Sequence, residues 1–212
     1  MKTNKKTLIL TTLVCLIPIV AGALLYSRLP ETMATHWNMN GEPDGWSSRG
    51  FAVFGLPGIL LAVNLILPFA LKADPKHGNM SEALVKITVW TIPLISLLCC
   101  GLTLARGLGY ELHVEFWVPI FMGVLFIFIG NYLPKTKQSY TMGIKLPWTL
   151  NSEENWNRTH RLAGFLWVLS GVLLAVLTLC RAFRPGWLIG IFMLDVVIPF
   201  AYSYWLHAGK SL

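Results

Sequence analysis

Charged residues are scarce in this chain. Aspartate, glutamate, lysine and arginine make up 13% of its 212 residues, about half the share usual in a soluble domain. Hydrophobic residues make up 55%. They are not scattered as a soluble core would need. They run in blocks of about twenty, enough to cross ~30 Å of hydrocarbon. Loop cysteines are missing: Cys15, Cys99, Cys100 and Cys180 all fall in apolar blocks. That argues against a disulfide framework and against a CxxC zinc site. Catalytic signatures are missing too. There is no HExxH, no GxSxG, no Walker lysine and no glycine-rich strand–turn–helix motif. His36, His77, His113, His160 and His207 are spread over different loops. The expectation is a protein that is not an enzyme and holds no cofactor. No basic run is interleaved with aromatics, so the net charge of +7 reflects cytoplasm-facing loops and not direct nucleic-acid binding.

The apolar blocks predict spans at about 7–26, 51–71, 84–105, 114–131, 161–182 and 187–206. Helices are the default for such runs, because in lipid each backbone polar group must bond internally. The fold class is therefore all-α, a polytopic membrane protein with a bundle of about six transmembrane helices. The first block lacks a small-x-small cleavage site before the polar loop and reads as an uncleaved span.

Basic residues set the orientation. With the N-terminus on one side, that side holds Lys2, Lys5, Lys6, Lys72, Lys76, Lys86, Lys135, Lys137, Lys145, Arg158, Arg161 and Lys210. The other side holds Arg28, Arg49, Arg106, Arg181 and Arg184. This asymmetry places both termini in the cytoplasm, as an even number of spans allows. Two connections are long: 27–50 outside and 132–160 inside. A division follows into an N-terminal membrane domain, 1–82, and a C-terminal one, 83–212.

The outer loop is dense in turn formers and carries Trp37 and Trp46. Indole rings favour the headgroup level, so the loop is expected to fold onto the membrane surface. His36, Glu42 and Asp44 could approach one another as a loose metal site. The plainer reading is a compact loop in which Asp44 bonds turn N–H groups and His36 packs beside Trp37.

In the inner loop, Gly143 allows a tight turn and Pro147 ends any preceding helix. Asn151 or Ser152 caps a helix with Glu153 and Glu154 in its first turn, running into the fifth span. On it Glu153, Trp156 and His160 share a face with Gly164, and Asn157 and Arg161 form the neighbouring stripe. The two readings are a binding surface on the cytoplasmic side, and an amphipathic lead-in helix with snorkelling arginines at the membrane border.

Asp195 lies near the middle of the last span, where a carboxylate costs on the order of 3 kcal/mol on insertion scales. It is expected to face other helices, with Asn64 a candidate partner. A proton relay or ion site and a single interhelical hydrogen bond are the two readings. Gly123 and Gly130 in the fourth span, and Gly164 and Gly171 in the fifth, are each seven residues apart. They hint that these two spans touch.

The string GNYLPKTKQSYTMGIKLPWTLNSEENWNRTHRLAG resembles the signature of the SdpI family of bacterial immunity proteins. The matching residues are Gly130, Asn131, Gly143, Ile144, Lys145, Pro147, Trp148, Thr149, Leu150, Trp156, Arg158, Thr159, His160 and Arg161. The outer THWNMNGEPDGW, through His36, Trp37, Asn38, Gly41, Pro43, Asp44 and Trp46, is similar to the domain of unknown function that often precedes that segment. The resemblance implies a multi-pass protein of the bacterial cytoplasmic membrane that protects its cell from a secreted, membrane-active killing peptide. It also implies a receptor that holds a cytoplasmic transcriptional repressor at the membrane. Outer-loop residues His36, Trp37, Asn38, Asp44 and Trp46 would then meet the toxin. Asn131, Lys145, Pro147, Trp148, Thr149, Trp156, Arg158, Thr159, His160 and Arg161 would face the cytoplasmic partner. The competing readings are a small transporter or ion pathway using Asp195, and a membrane enzyme with an unrecognised site at His36 and Asp44.

Overall fold

A computed structural model describes residues 5–209. Lys2 and Lys210, counted in the charge asymmetry, lie outside the described residues. Seven helices are described: α1 (Lys5–Leu24), α2 (Leu56–Ala73), α3 (Glu82–Gly107), α4 (Val114–Tyr132), the short α5 (Pro147–Asn151), α6 (Glu153–Leu179) and α7 (Pro185–Ala208). All but α5 are long and apolar enough to cross a membrane, α2 together with the wide turn that precedes it at Phe51–Gly55. The six spans meet the sequence expectation of an all-α polytopic membrane protein. The wide turn has a local cause. Pro57 has no N–H to give to the carbonyl four residues back, and the helix relaxes ahead of it.

One difference from an all-helical reading is outside the spans. Two strands, β1 (Thr32–Trp37) and β2 (Pro43–Ser48), pair antiparallel as a hairpin. Thr32 lies opposite Ser48 and Ala34 opposite Trp46, and the register slips on both sides of His36. Such slips bend a strand and re-aim its side chains.

The described chain divides into two compact units that interleave along the sequence and are not cut at 82/83. One comprises the residues up to Ala70 with Thr88–Glu115, and the other comprises Leu71–Ile87 with Phe116–Leu212.

In the first unit the hairpin rests on the ends of α1 and α3 and on the wide turn before α2. Met33 is buried with Leu29, Ala52, Val53 and Leu104, and Ala21, Leu25, Tyr26 and Leu108 pack around them. Arg49 closes the hairpin's base. Its Nη1 donates to the Tyr26 and Leu29 carbonyls (3.2 and 3.0 Å), and its guanidinium lies 4.4 Å from the Tyr26 ring centroid.

In the second unit α4 and α6 cross through two glycine pairs. A Cβ on Gly130 would sit 2.8 Å from the Gly164 carbonyl oxygen, and one on Gly123 would sit 2.8 Å from that of Gly171. The spacing hint is borne out, since only glycine lets these backbones approach so closely. α6 begins eight residues before the apolar run expected at 161, and Ser152 caps it, accepting from the Asn155 N–H (3.2 Å). Two expectations need correction. Pro147 does not follow a helix; it is the first residue of α5, where its missing N–H costs nothing. Cys180 is not inside a span; it is the exposed residue that ends α6.

Candidate functional site

The inner loop is densely hydrogen-bonded. Residues 136–146 form neither helix nor strand, so their backbone groups need other partners. Gly143 turns the chain with φ +100°, and a Cβ there would lie 2.9 Å from the Trp156 ring. Beneath it Trp156 and His160 stack, with ring centroids 4.0 Å apart. The Trp156 indole N–H donates to the Thr136 carbonyl (2.8 Å). His160 Nδ1 lies 2.8 Å from the Trp156 carbonyl, and His160 Nε2 accepts from the Ile144 N–H at 2.8 Å. A carbonyl can only accept and a backbone N–H can only donate. The imidazole is therefore neutral, with its proton on Nδ1.

A second knot joins the loop to α7. Trp148 donates its indole N–H to Ser203 Oγ (2.7 Å) and stacks on His207, with Phe200 and Tyr204 edge-on. Ser203 Oγ donates to Asn155 Oδ1 (2.8 Å), Thr159 Oγ1 donates to the same oxygen (3.0 Å), and Asn155 Nδ2 donates to the Ser203 carbonyl (2.9 Å). Thr149 Oγ1 accepts from the Leu146 N–H at 2.9 Å.

The ten inner-loop candidates therefore sort by direction. Thr149, Trp156, Thr159 and His160 are buried in the loop's own packing, and Trp148 is half-buried. Asn131, Lys145, Pro147, Arg158 and Arg161 are exposed. Arg158 pairs with Glu154 at 3.5 Å.

The third tie came from no reading of the sequence. Asp74, buried just after α2, accepts from the Lys76 N–H (2.7 Å) at one carboxylate oxygen. At the other it accepts from Ser139 Oγ (2.7 Å), the Thr141 N–H (2.8 Å) and Thr141 Oγ1 (2.8 Å). Burial alone pushes the carboxyl up, but these hydrogen bonds outweigh it and hold the group down at about 2. Lys76 Nζ donates to Gln138 Oε1 (3.2 Å), while Gln138 Nε2 reaches the Thr149 and Leu150 carbonyls (2.9 and 3.2 Å). The sequence marks Asp74-Pro75 only as a turn. Nothing local signals partners more than sixty residues away.

The outer loop is built differently from its expected form. Asn38, not Asp44, organises the turn: its Oδ1 accepts from the Asn40 and Glu42 N–H groups (2.9 and 3.1 Å). Asn38 is four residues before Glu42, where a side-chain carbonyl can reach both donors, whereas Asp44 lies inside β2 and extends away. Gly41, at φ +81°, closes the turn. Asp44 pairs instead with His36 Nδ1 at 2.5 Å. Glu42 accepts from Asn38 Nδ2 (3.2 Å) and does not join them. Among the described residues no group of three His, Cys, Asp or Glu is placed to hold a metal. His36, Asp44 and Trp46 are exposed, Trp46 at 58%, while Trp37 and Asn38 are partly covered.

Within the spans, Asp195 is buried and its partner is Ser170, whose hydroxyl donates to Oδ1 (2.9 Å). Its Oδ2 has no partner among the described residues. Asn64, the partner named from sequence, donates instead to Thr12 Oγ1 (3.3 Å). Asn64 is on α2 and Ser170 on α6, the helix that crosses α7 beside Asp195.

Residues 135–203, from the start of the inner loop to Ser203, match the SdpI/YfhL protein family. The chain carries an SdpI/YfhL segment. Residues 13–61, which include the hairpin, match a domain of unknown function, DUF1648. The resemblance read from the two loops is borne out. The chain is 27% identical to Immunity protein SdpI of Bacillus subtilis (strain 168) over 175 residues, 82% of each chain. No solved structure matches. The SdpI/YfhL segment contains the Trp156–His160 stack, the Trp148–Ser203 knot and the Ser170–Asp195 pair. Asp74 lies outside both matched ranges.

Proposed function

We propose that this chain is a non-catalytic immunity protein and receptor of the bacterial cell membrane, with both termini in the cytoplasm. The outer hairpin, through His36, Asp44 and Trp46, engages a secreted membrane-active toxin peptide. The inner loop presents Lys145, Pro147, Arg158 and Arg161 to a cytoplasmic repressor. The supporting observation is the inner loop itself. It lies within the segment that matches SdpI/YfhL, and its tryptophans and histidine fix its shape, which leaves a defined basic surface. Preorganised loops bind with less ordering cost.

The test is survival. A sensitive bacterium expressing the chain is challenged with a membrane-active killing peptide while membrane potential is recorded. Protection by the wild type, lost in His36→Ala/Trp46→Ala but kept in a hairpin control at exposed Met39, supports the reading. Arg158→Ala should protect but recruit the repressor less. A well-inserted wild-type chain that gives no protection sinks the proposal for that toxin.

A second reading rests on Asp195, a buried acid with one oxygen unpartnered among the described residues. Intramembrane acids mark ion pathways in many proteins. Asp195→Asn in reconstituted vesicles separates the two: loss of cation flux favours a transporter, whereas protection that survives the substitution favours immunity.

A further inference from the structure

We propose that Asp74 is the positioning residue of the inner loop, and that the segment 74–79 is a working part of the cytoplasmic receptor surface although it lies outside both matched families. The inference rests on the receptor reading above.

The argument begins with donors. The turn at residues 139–142 has four hydrogen-bond donors aimed inward: Ser139 Oγ, Thr141 Oγ1, and the N–H groups of Thr141 and Met142. Asp74 Oδ2 takes the first two and the Thr141 N–H. Ser139 Oγ, oriented by that carboxylate, takes the Met142 N–H at 3.1 Å. A carboxylate is acceptor-only at both oxygens, so it is the one short side chain able to receive donors at each end. Its Oδ1 holds the Lys76 N–H and so fixes the carboxylate to its own strand of chain. Asparagine in this place has to aim an NH₂ group at a donor, whichever way it is turned.

The consequence reaches the exposed surface. The turn leads directly into Gly143, which roofs the Trp156–His160 stack, and then into Lys145, whose Nζ donates to the Thr141 carbonyl (3.3 Å). Tyr140, half exposed, lies under Lys76 Nζ at 5.4 Å from its ring centroid. Asn79 Nδ2 donates to the Gln138 carbonyl (3.2 Å). The loop has no secondary structure of its own between 136 and 146, so the anchors on 74–79, together with the His160 contact to the Ile144 N–H, set which way Tyr140 and Lys145 face.

The experiment uses the full chain in lipid nanodiscs under limiting trypsin, with fragments counted by mass spectrometry. Cleavage after the exposed Lys137 and Lys145 is normalised to cleavage after Arg28 in the outer connection. Asp74→Asn is expected to raise the inner-loop rates at least tenfold, with Asp74→Glu recovering part of the protection. If Asp74→Asn does not insert, Ser139→Ala, which removes one donor and one relay, is expected to raise the same rates about threefold. Wild-type cleavage rates in whichever variant inserts overturn the proposal. Toxin survival is scored in parallel. A wild type without protection fails the receptor reading but leaves the cleavage result valid. A loosened loop in a variant that still recruits the partner normally upholds the positioning role and overturns the claim that 74–79 works in the receptor surface.

Discussion

Gly130 and Gly164 face each other across the α4–α6 crossing, each backbone where the other's Cβ would be: a Cβ on Gly164 would lie 2.6 Å from the Gly130 carbonyl oxygen. The neighbouring atoms are backbone, the Pro134 ring and the Trp167 Cβ, none of which can rotate aside. Gly130→Ala or Gly164→Ala is therefore expected to force the helices apart and cost about 1–3 kcal/mol, the usual range for overpacking. Thermal melting in detergent checks this. Gly190→Ala on α7, where a Cβ meets nothing within 4 Å, is the control and is expected to be neutral or slightly stabilising. Equal melting of all variants would contradict the close crossing.

Trp148→Phe keeps most of the aromatic packing on Phe200, Tyr204 and His207 and deletes only the indole N–H to Ser203. The expected loss is about 1 kcal/mol, the net worth of one hydrogen bond. Trp148→Ala also removes the ring and should cost about 3 kcal/mol. Denaturant titration in mixed micelles resolves the difference. A Phe variant as damaged as the Ala variant would mean that the hydrogen bond, not the ring, holds the loop to α7.

The Asp74 carboxyl sits at about 2 in the folded chain against an ordinary value near 3.8. For a group held down in this way, the folded state binds protons less readily than the unfolded state. The stability it contributes is complete above about pH 4 and is lost as pH falls through about 2. Wild type and Asp74→Asn should therefore converge in stability between pH 4 and pH 2 and differ by a constant amount above. Parallel curves over that window would contradict the carboxylate's role.

These three features differ in how visible they were. The spans were legible because lipid imposes a length and a composition that no soluble core imitates, and the seven-residue glycine pairs hinted that the fourth and fifth spans meet. The shape of the inner loop was less so. Trp156 and His160 share a helical face by spacing alone, but spacing does not say whether that face looks outward or inward. The deciding facts, Gly143 above the stack and Thr136 below, depend on a loop path without periodicity. Asp74 and Gln138 were invisible for the same reason, since hydrogen bonds between distant irregular segments leave no pattern in either. In the outer loop the turn formers were legible, yet the division of labour between Asn38 and Asp44 depended on where the strands end, which leaves Asn38 in the turn and Asp44 inside β2.

Arg49→Lys tests the base of the hairpin. Lysine keeps the charge but lacks the planar guanidinium that lies on the Tyr26 ring while its Nη1 is held at the two carbonyls. The expected cost is about 1–2 kcal/mol, seen as earlier loss of hairpin protection in hydrogen exchange at Met33–Thr35, with the helices unaffected. Uniform loss of protection across α1 and α3 would instead make Arg49 a support of the whole unit.

The seat of the hairpin also sets an order of events during synthesis. A two-stranded hairpin is marginal in water on its own, and Met33 rests on residues from both ends of the chain's first half: Leu29, Ala52 and Val53 are made early, Leu104 much later. When the ribosome has released the first two spans, the strands exist but half of their platform does not. The hairpin lacks that part of its packing until the third helix has delivered Leu104 and Leu108. Shortly after it, Glu115 arrives beside Gly41. The hairpin's seat is thus completed only after the third helix is in place, and a nascent chain stalled before that point would carry the strands without their full platform.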